Sequence, residues 1–327
     1  MRALVTGGAG FIGHHLVHAL LAGGWRVAVI DDLSTGEVAR LAPLADRIDF
    51  IQGDIRDPVA VDEAMASADV VFHEAALPSV ARSVADPRLT NEINTTGTIE
   101  VMLGAARAGV RRVVYASSSS IYGSTPELPR RETQRPDPQS PYAASKLAAE
   151  HYVHALGNLH GLETVALRYF NVFGPGQDPA SEYAAVVPRF IVAGLNGETP
   201  HVLGDGHQTR DFTYIDNVVA ANLLAATRAG VSGLTCNIGC GGQFSLLELL
   251  ARIEAALGVD LVPTFGPARA GDVPHSQADI SLAVERLGYD PAVGFDDGIR
   301  QTVAWFRERH DVDSGRPSPR EPSSQPA

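Results

Sequence analysis

Cysteine is nearly missing: Cys236 and Cys240 are the only two in 327 residues. Four apart in TCNIGCGG, they are too few for a disulfide framework and lack the partners of a zinc site, so both are read as packing residues. Long apolar runs are missing as well. No stretch approaches the roughly 18 to 20 apolar residues of a membrane span, and the basic, apolar, small-residue order of a secretory signal is not found, which makes the cytoplasm the expected location. Positive charge is in deficit, with 26 Lys and Arg against 38 Asp and Glu and a formal charge of −12. Such a chain has no long-range attraction for nucleic acid or an anionic membrane. An anionic ligand must then be held by local arginines and helix N-termini. At 45% hydrophobic and 20% charged, the composition is that of an ordinary globular protein, long enough for one large or two unequal domains.

What the chain does have is a rhythm. The short apolar runs RALVTG, RVAVID, IDFIQG, DVVFHEAA, RRVVYASS and ETVALRYFNV recur through the N-terminal half, with helical patterns such as FIGHHLVHALLAG and NTTGTIEVMLGAARAGV between most of them. Strands alternating with helices predict right-handed crossovers and a doubly wound, parallel α/β sheet of Rossmann type. After about Asn171 the pattern becomes irregular, punctuated by FGPGQDP and VLGDGHQTRDF. A dinucleotide-type domain over 1–171 and a smaller, mainly substrate-binding domain over 172–310 are therefore expected. A segment near 211–240, carrying LTCNIGC, is expected to return a strand to the main sheet. The stretch 311–327 is rich in Pro, Ser and charge and is expected to be disordered.

The first predicted strand runs into TGGAGFIGHHLV, with Gly7, Gly10 and Gly13 at the G-x-x-G-x-x-G positions and Gly8 completing a G-x-G-x-x-G. Glycines there permit a tight turn and close approach of the backbone to a pyrophosphate at a helix N-terminus. The second strand ends in Asp31 and Asp32, placed to accept from the adenosine ribose hydroxyls and to repel a 2′-phosphate, so NAD is favoured over NADP. Asp54 in QGDIRD suits either the adenine amino group or a turn.

Two further stretches carry chemistry. VVYASSSSIYG sets four serines at the C-terminal end of a strand, where open α/β sheets bind ligands. SPYAASKLAAEHYV places Tyr142 and Lys146 four apart, on one face of a helix. A neighbouring ammonium favours the phenolate of a tyrosine and makes it usable as a general base. The spacings of His14 with His18 and His151 with His154 find no completing ligands, and no metal is expected.

With TGGAGFIG, GDIRD, SSSSIYG, SPYAASK, LRYFNVFGPGQDP, RDFTYIDNV and AGDVPHSQADI in hand, the chain resembles the extended short-chain dehydrogenase/reductase family, and within it the nucleotide-sugar 4-epimerases, from Met1 to about Arg309. The resemblance implies Ser118, Tyr142 and Lys146 as the catalytic group. Ser119 and Ser120 stand where related 4,6-dehydratases carry acids, and would donate hydrogen bonds to sugar substituents instead. Ser117 is read as ending the strand by simple backbone capping. The expected cofactor contacts are Gly7, Gly10, Phe11, Ile12, Gly13, Asp31, Asp32, Ser34, Asp54, Ile55, Ala75, Asn94, Tyr142 and Lys146. The expected substrate contacts are Ser118, Ser119, Ser120, Asn171, Gln177, Ala185, Arg210, Arg269, Asp272 and Ser276, the arginines on a UDP diphosphate and the small Ser276 leaving room for an N-acetyl group. Pro78 departs from a glycine common in the N-acetylhexosamine-accepting branch. The implied reaction inverts C4 of a UDP-sugar through a 4-keto form with NAD retained. UDP-N-acetylglucosamine and UDP-glucose are the expected substrates, with UDP-glucuronate as the alternative and an NAD-binding sensor as the non-enzyme reading. Family members commonly dimerise through a helix pair like that around 94–108 and 140–156, so a homodimer is expected.

Overall fold

The computed structural model describes residues 1–179, 185–268 and 273–313; Arg269 and Asp272 lie outside them, as does most of the expected tail. The apolar runs become strands β1 (Arg2–Thr6), β2 (Arg26–Asp31), β3 (Ile48–Gln52), β4 (Val70–His73), β5 (Arg112–Ser118) and β6 (Glu163–Tyr169), joined by a late β7 (Leu234–Ile238). They pair in the order β7-β6-β5-β4-β1-β2-β3, and every pair is parallel. The direction of winding reverses between β1 and β4. At such a switch point the loops leaving two neighbouring strands diverge and open a crevice at their carboxyl ends.

Both faces of the sheet are covered, which is why the strands read as apolar runs rather than alternations. In β1, Ala3 and Val5 point to one core and Leu4 to the other. The first core receives Leu16, Val17 and Leu20 of α1 (Phe11–Ala22). The second receives Val61 and Met65 of α2 (Pro58–Met65), Val101 and Met102 of α3 (Thr98–Ala108), and Ala149 and Val153 of α4 (Pro141–His160). α5 (Ile215–Thr227) packs beside α1 on the first face and leads into β7. One hydrophobic cluster holds Ala3 and Val29 together with Leu249, Phe295 and Phe306. The C-terminal part thus shares its core with the sheet, and 171/172 is not a break in packing.

Local signals fix α4, which carries the predicted chemistry. The Ser140 side chain caps its first turn by accepting from the Ala143 amide, Pro141 opens it, and Gly161 ends it in the left-handed conformation.

One buried polar group ties the layers together. His73, at the end of β4, is fully buried, its Nδ1 2.7 Å from the Thr6 hydroxyl and its Nε2 2.8 Å from that of Thr98. Burial, with Lys146 adding, depresses the imidazole from 6.5 to about 3. Between these values the unfolded chain binds a proton that the folded chain refuses, so this stability is full above pH 6.5 and is lost as pH falls toward 3. Denaturant unfolding of His73→Gln at a series of pH values should show a pH dependence weaker than wild type by about 1.4 kcal/mol per pH unit in that window; parallel curves would refute the assignment.

Candidate active site

The turn between β1 and α1 is closed to side chains. Gly7 has φ +69°, and a Cβ on Gly13 would stand 2.1 Å from the Gly7 carbonyl oxygen. Helix and turn can therefore meet only as glycines. Asp31 holds this turn from the end of β2, accepting from the Ala9 and Leu33 amides, each at 2.9 Å. Burial pushes its carboxyl up and those two donors draw it back. Asp32 accepts from the amide and hydroxyl of Ser34. Asp54 takes the turn role, receiving the Arg56 amide at 2.8 Å, and the Arg56 guanidinium holds its carboxyl below the usual range.

All the cofactor-site residues expected from the sequence, with one exception, line a single cavity of about 710 Å³ at the switch point, which reaches Tyr142 and Lys146. The exception is Asn94. It sits buried on a π-helical stretch, Glu92–Gly97, that precedes α3. Its side-chain amide is spent on the protein, accepting from the Leu77 amide at 2.7 Å and donating to the Leu77 carbonyl and the Ser145 hydroxyl. Asn94 positions the loop after β4 against α4 and does not line the cavity. A π-turn shifts the register by one residue and often marks such a place.

Further along the cavity, Tyr142 and Lys146 share one face of α4, with Ser118 near enough to the Tyr142 phenol to act on its titration. Burial raises the phenol and Ser118 pulls it down. Lys146 is the only lysine in the chain. Its ammonium stands 4.5 Å from the centroid of the Tyr115 ring, a favourable cation–π position. Burial lowers it to about 8, while Glu74 and Glu150 act in the opposite direction.

The serine run divides differently from its sequence reading. Ser117 is no mere cap: it is buried, lines the cavity and donates to Glu150 at 2.5 Å. Both Glu150 oxygens also accept from Arg168, which in turn donates to the Tyr122 hydroxyl, and that hydroxyl donates to Asn237 at 2.6 Å. This network crosses α4, β5, β6 and β7 and could not be seen in sequence, because its members are up to 120 residues apart. Ser118 begins a short 3-10 turn, Ser119–Tyr122, with its hydroxyl 2.9 Å from that of Ser120. Ser119 and Ser120 are half-buried there.

The expected substrate residues gather only partly. Asn171, held at φ +25°, donates to the Asp211 carbonyl and lines a second cavity of about 270 Å³ together with Arg210. Ala185 lines both cavities, which meet there. Gln177 lines the first cavity, and its buried Oε1 has no hydrogen-bond partner among the described residues. Ser276 lines neither cavity; its amide donates to the Thr209 carbonyl, beside Arg210. The sequence reading missed Asp211, which accepts from the amides of Cys240, Gly241 and Ala278 and so anchors the strand of Arg210. It also missed Glu74 and Arg82 on the first cavity's wall; an acid directly after the apolar run in FHEAA was the available signal. His14 contacts the Gly10 carbonyl and His154 bridges Thr164 and Thr235. Among the described residues no His, Cys, Asp and Glu side chains assemble into a metal site.

A parallel sheet wound in two directions, a glycine turn at its switch point and a Tyr142–Lys146 pair on the cavity wall, with Ser118 to Ser120 behind it and lining neither cavity, define a dinucleotide-dependent enzyme of the short-chain dehydrogenase/reductase type. Residues 3–239 match the NAD dependent epimerase/dehydratase family, and the chain belongs to that family. It is 42% identical over 313 residues to a UDP-glucose 4-epimerase of Mycolicibacterium smegmatis, covering 94% of this chain and 99% of that one. A UDP-N-acetylglucosamine 4-epimerase from Methanobrevibacter ruminantium, solved with UDP-N-acetylmuramic acid, superposes with TM-score 0.90 at 38% identity, covering 94% and 98%. A Thermus thermophilus UDP-glucose 4-epimerase in complex with NAD gives TM-score 0.87 at 39% identity, covering 94% and 99%. The cofactor is NAD, and the residues fit it: the turn closed to any Cβ and the carboxylates at the end of β2 suit a pyrophosphate and an adenosine ribose without a 2′-phosphate.

Two variants probe this assembly. Gly13→Ala should weaken NAD binding by roughly 100-fold or more, read by calorimetry, because the clash is with backbone and cannot be relieved by a side chain. Glu150→Gln removes the counter-charge of Arg168 where both side chains are under a tenth exposed, so stability should drop by about 3–5 kcal/mol; a loss within about 1 kcal/mol, the range of a surface pair, would contradict the network.

Proposed function

We propose that the protein is a UDP-sugar 4-epimerase acting on UDP-glucose and UDP-N-acetylglucosamine and their galacto epimers. The observation that carries this reading is the Ser118–Tyr142–Lys146 group with hydroxyls, not acids, at Ser119 and Ser120. Eliminating water from the sugar requires an acid and a base beside C5 and C6, and serine hydroxyls titrate far too high to serve. Epimerisation requires one reversible proton transfer at the C4 oxygen, which Tyr142 can perform. Bound NAD would supply the hydride acceptor and return the hydride to the opposite face of C4. Lys146 lowers the cost of the Tyr142 phenolate, and Ser118 orients the phenol and the C4 hydroxyl toward each other. Arg210 and Asn171 line the second cavity, the proposed seat of the diphosphate, to which Arg269 would contribute; Asp272 would take the uridine ribose. Ala185 is small where the cavities join, and Gln177 offers its unpaired oxygen there, which supports room for a substituted sugar. Cytoplasmic location and a homodimer through α3 and α4 belong to the same proposal, the second supported by Tyr152 and Leu159, exposed on α4.

UDP-glucuronate is the competing substrate, since the Ser119 and Ser120 hydroxyls suit a carboxylate as well. Purified protein with added NAD should be incubated separately with UDP-glucose, UDP-N-acetylglucosamine and UDP-glucuronate, and the C4 epimers resolved by proton NMR. Conversion of each of the first two into its own C4 epimer is expected, with Tyr142→Phe and Ser118→Ala lowering turnover by about 10²–10⁴-fold. Conversion of UDP-glucuronate alone would reassign the serines, and a 4-keto-6-deoxy product or no product would overturn the epimerase reading.

A further inference from the structure

Glu74 has no part in the reaction as just described, yet it lines the cavity wall together with Tyr142, Lys146 and Tyr169. It follows directly on β4, where the chain leaves the sheet. Its carboxylate accepts a hydrogen bond from the Tyr169 hydroxyl at 2.8 Å. That hydroxyl accepts from the Asn222 amide at 2.8 Å, and Asn222 also donates to the Val218 carbonyl of its own helix. Side chains from β6 and α5 thus hold a carboxyl group at the same wall as the ammonium. The contact with Lys146 is through space and not by a hydrogen bond.

The surroundings of Lys146 single out Glu74. Tyr115 of β5 lies under the ammonium; Glu74 just after β4, Tyr142 of α4 and Tyr169 of β6 line the same cavity, and His73 of β4 and Glu150 of α4 interact with the lysine through space. His73 is neutral, being depressed to about 3, and the phenols of Tyr115 and Tyr169 are pushed well above their ordinary range by burial. Glu150 is engaged through both oxygens by Arg168 and through one by Ser117, so its charge is already matched. Among the described residues Glu74 has the Tyr169 phenol for its hydrogen-bond partner; burial raises its carboxyl from 4.5 to about 7, with Tyr169 and Lys146 opposing, so it carries its charge above that range, at pH 8 included.

We propose that Glu74 is a positioning residue that keeps Lys146 charged, the counter-charge held on the ammonium's own cavity wall by the Tyr169–Asn222 relay. Burial alone drives an ammonium toward its neutral form, and a fixed carboxylate in the same low-dielectric wall opposes this. A neutral lysine would no longer favour the Tyr142 phenolate. Because Glu74 is tethered to Tyr169, it supplies its field without drawing the amine out of line with the phenol.

The inference rests on Lys146 serving the proposed reaction, but its test reads the lysine itself. With a single lysine in the chain, protein grown on ¹³C,¹⁵N-lysine gives one lysine side-chain signal, that of Lys146. Its titration midpoint should be followed by NMR in the NAD-loaded full chain. Glu74→Gln should lower the midpoint by about one unit, Tyr169→Phe by less, and Glu74→Asp should retain most of the wild-type value. In the same variants kcat at pH 8 should fall about tenfold for Glu74→Gln with KM little changed. A midpoint unmoved or raised in Glu74→Gln overturns the proposal; should that variant not fold, an unmoved midpoint in Tyr169→Phe does so. No substrate is needed for the titration, so a failed epimerase assay and a failed counter-charge are told apart.

Discussion

A parallel sheet buried on both faces leaves polar side chains few places to go: the strand interiors must be apolar, and chemistry is pushed to the carboxyl ends. Each central strand of this protein obeys. β1 ends in Thr6, β2 in Asp31, β4 in His73 followed by Glu74, β5 in Ser117 and Ser118, and β6 in Tyr169. Because the strands are parallel, those ends lie along one edge, and because the winding reverses between β1 and β4, the edge opens there. The cavity is the consequence of strand direction and strand order: Asp31, Glu74, Ser117 and Tyr169 line it, while Thr6 and His73 are buried beside it.

Polar groups at that edge still have to be satisfied, and the protein does this in two ways. Away from the reaction, buried sets are complete: Glu150 with Arg168 and Ser117, Asp211 with three backbone amides. Removing one partner of such a buried set strands the other, so these groups hold the frame rigid. Toward the reaction, pairing is left incomplete. Lys146 has an aromatic face beneath it and carboxylates at a distance, and among the described residues Gln177 keeps an oxygen unpartnered. Incomplete satisfaction is affordable only where a ligand completes it, and both groups face the same cavity.

Much of this was legible beforehand because it is local. Strand rhythm, the glycine turn, the acids closing β2 and the Tyr142–Lys146 spacing are each contained in a dozen residues, and their backbone consequences are dictated by sterics and helix geometry. What the sequence left open lay where side chains had a choice of partner. Asn94, grouped with the cofactor contacts, turned to Leu77 and Ser145; Ser117, read as a cap, turned to Glu150; Ser276 lay outside both cavities. In each case the deciding neighbour comes from another element brought close by the crossovers.

The sequence by itself determined the doubly wound sheet and the seat of a dinucleotide, since periodicity and short spacings specify them without reference to distant residues; the Tyr142–Lys146 spacing is equally local, while the roles proposed for Ser118, Tyr142 and Lys146 come from the family resemblance. Tertiary structure alone decided the electrostatics of the site. Whether Glu74 or Glu150 leaves its charge to Lys146 depends on Arg168, Tyr169 and Asn222, which only the packed sheet and helices bring within reach, and on a burial that strengthens each of those interactions by excluding water.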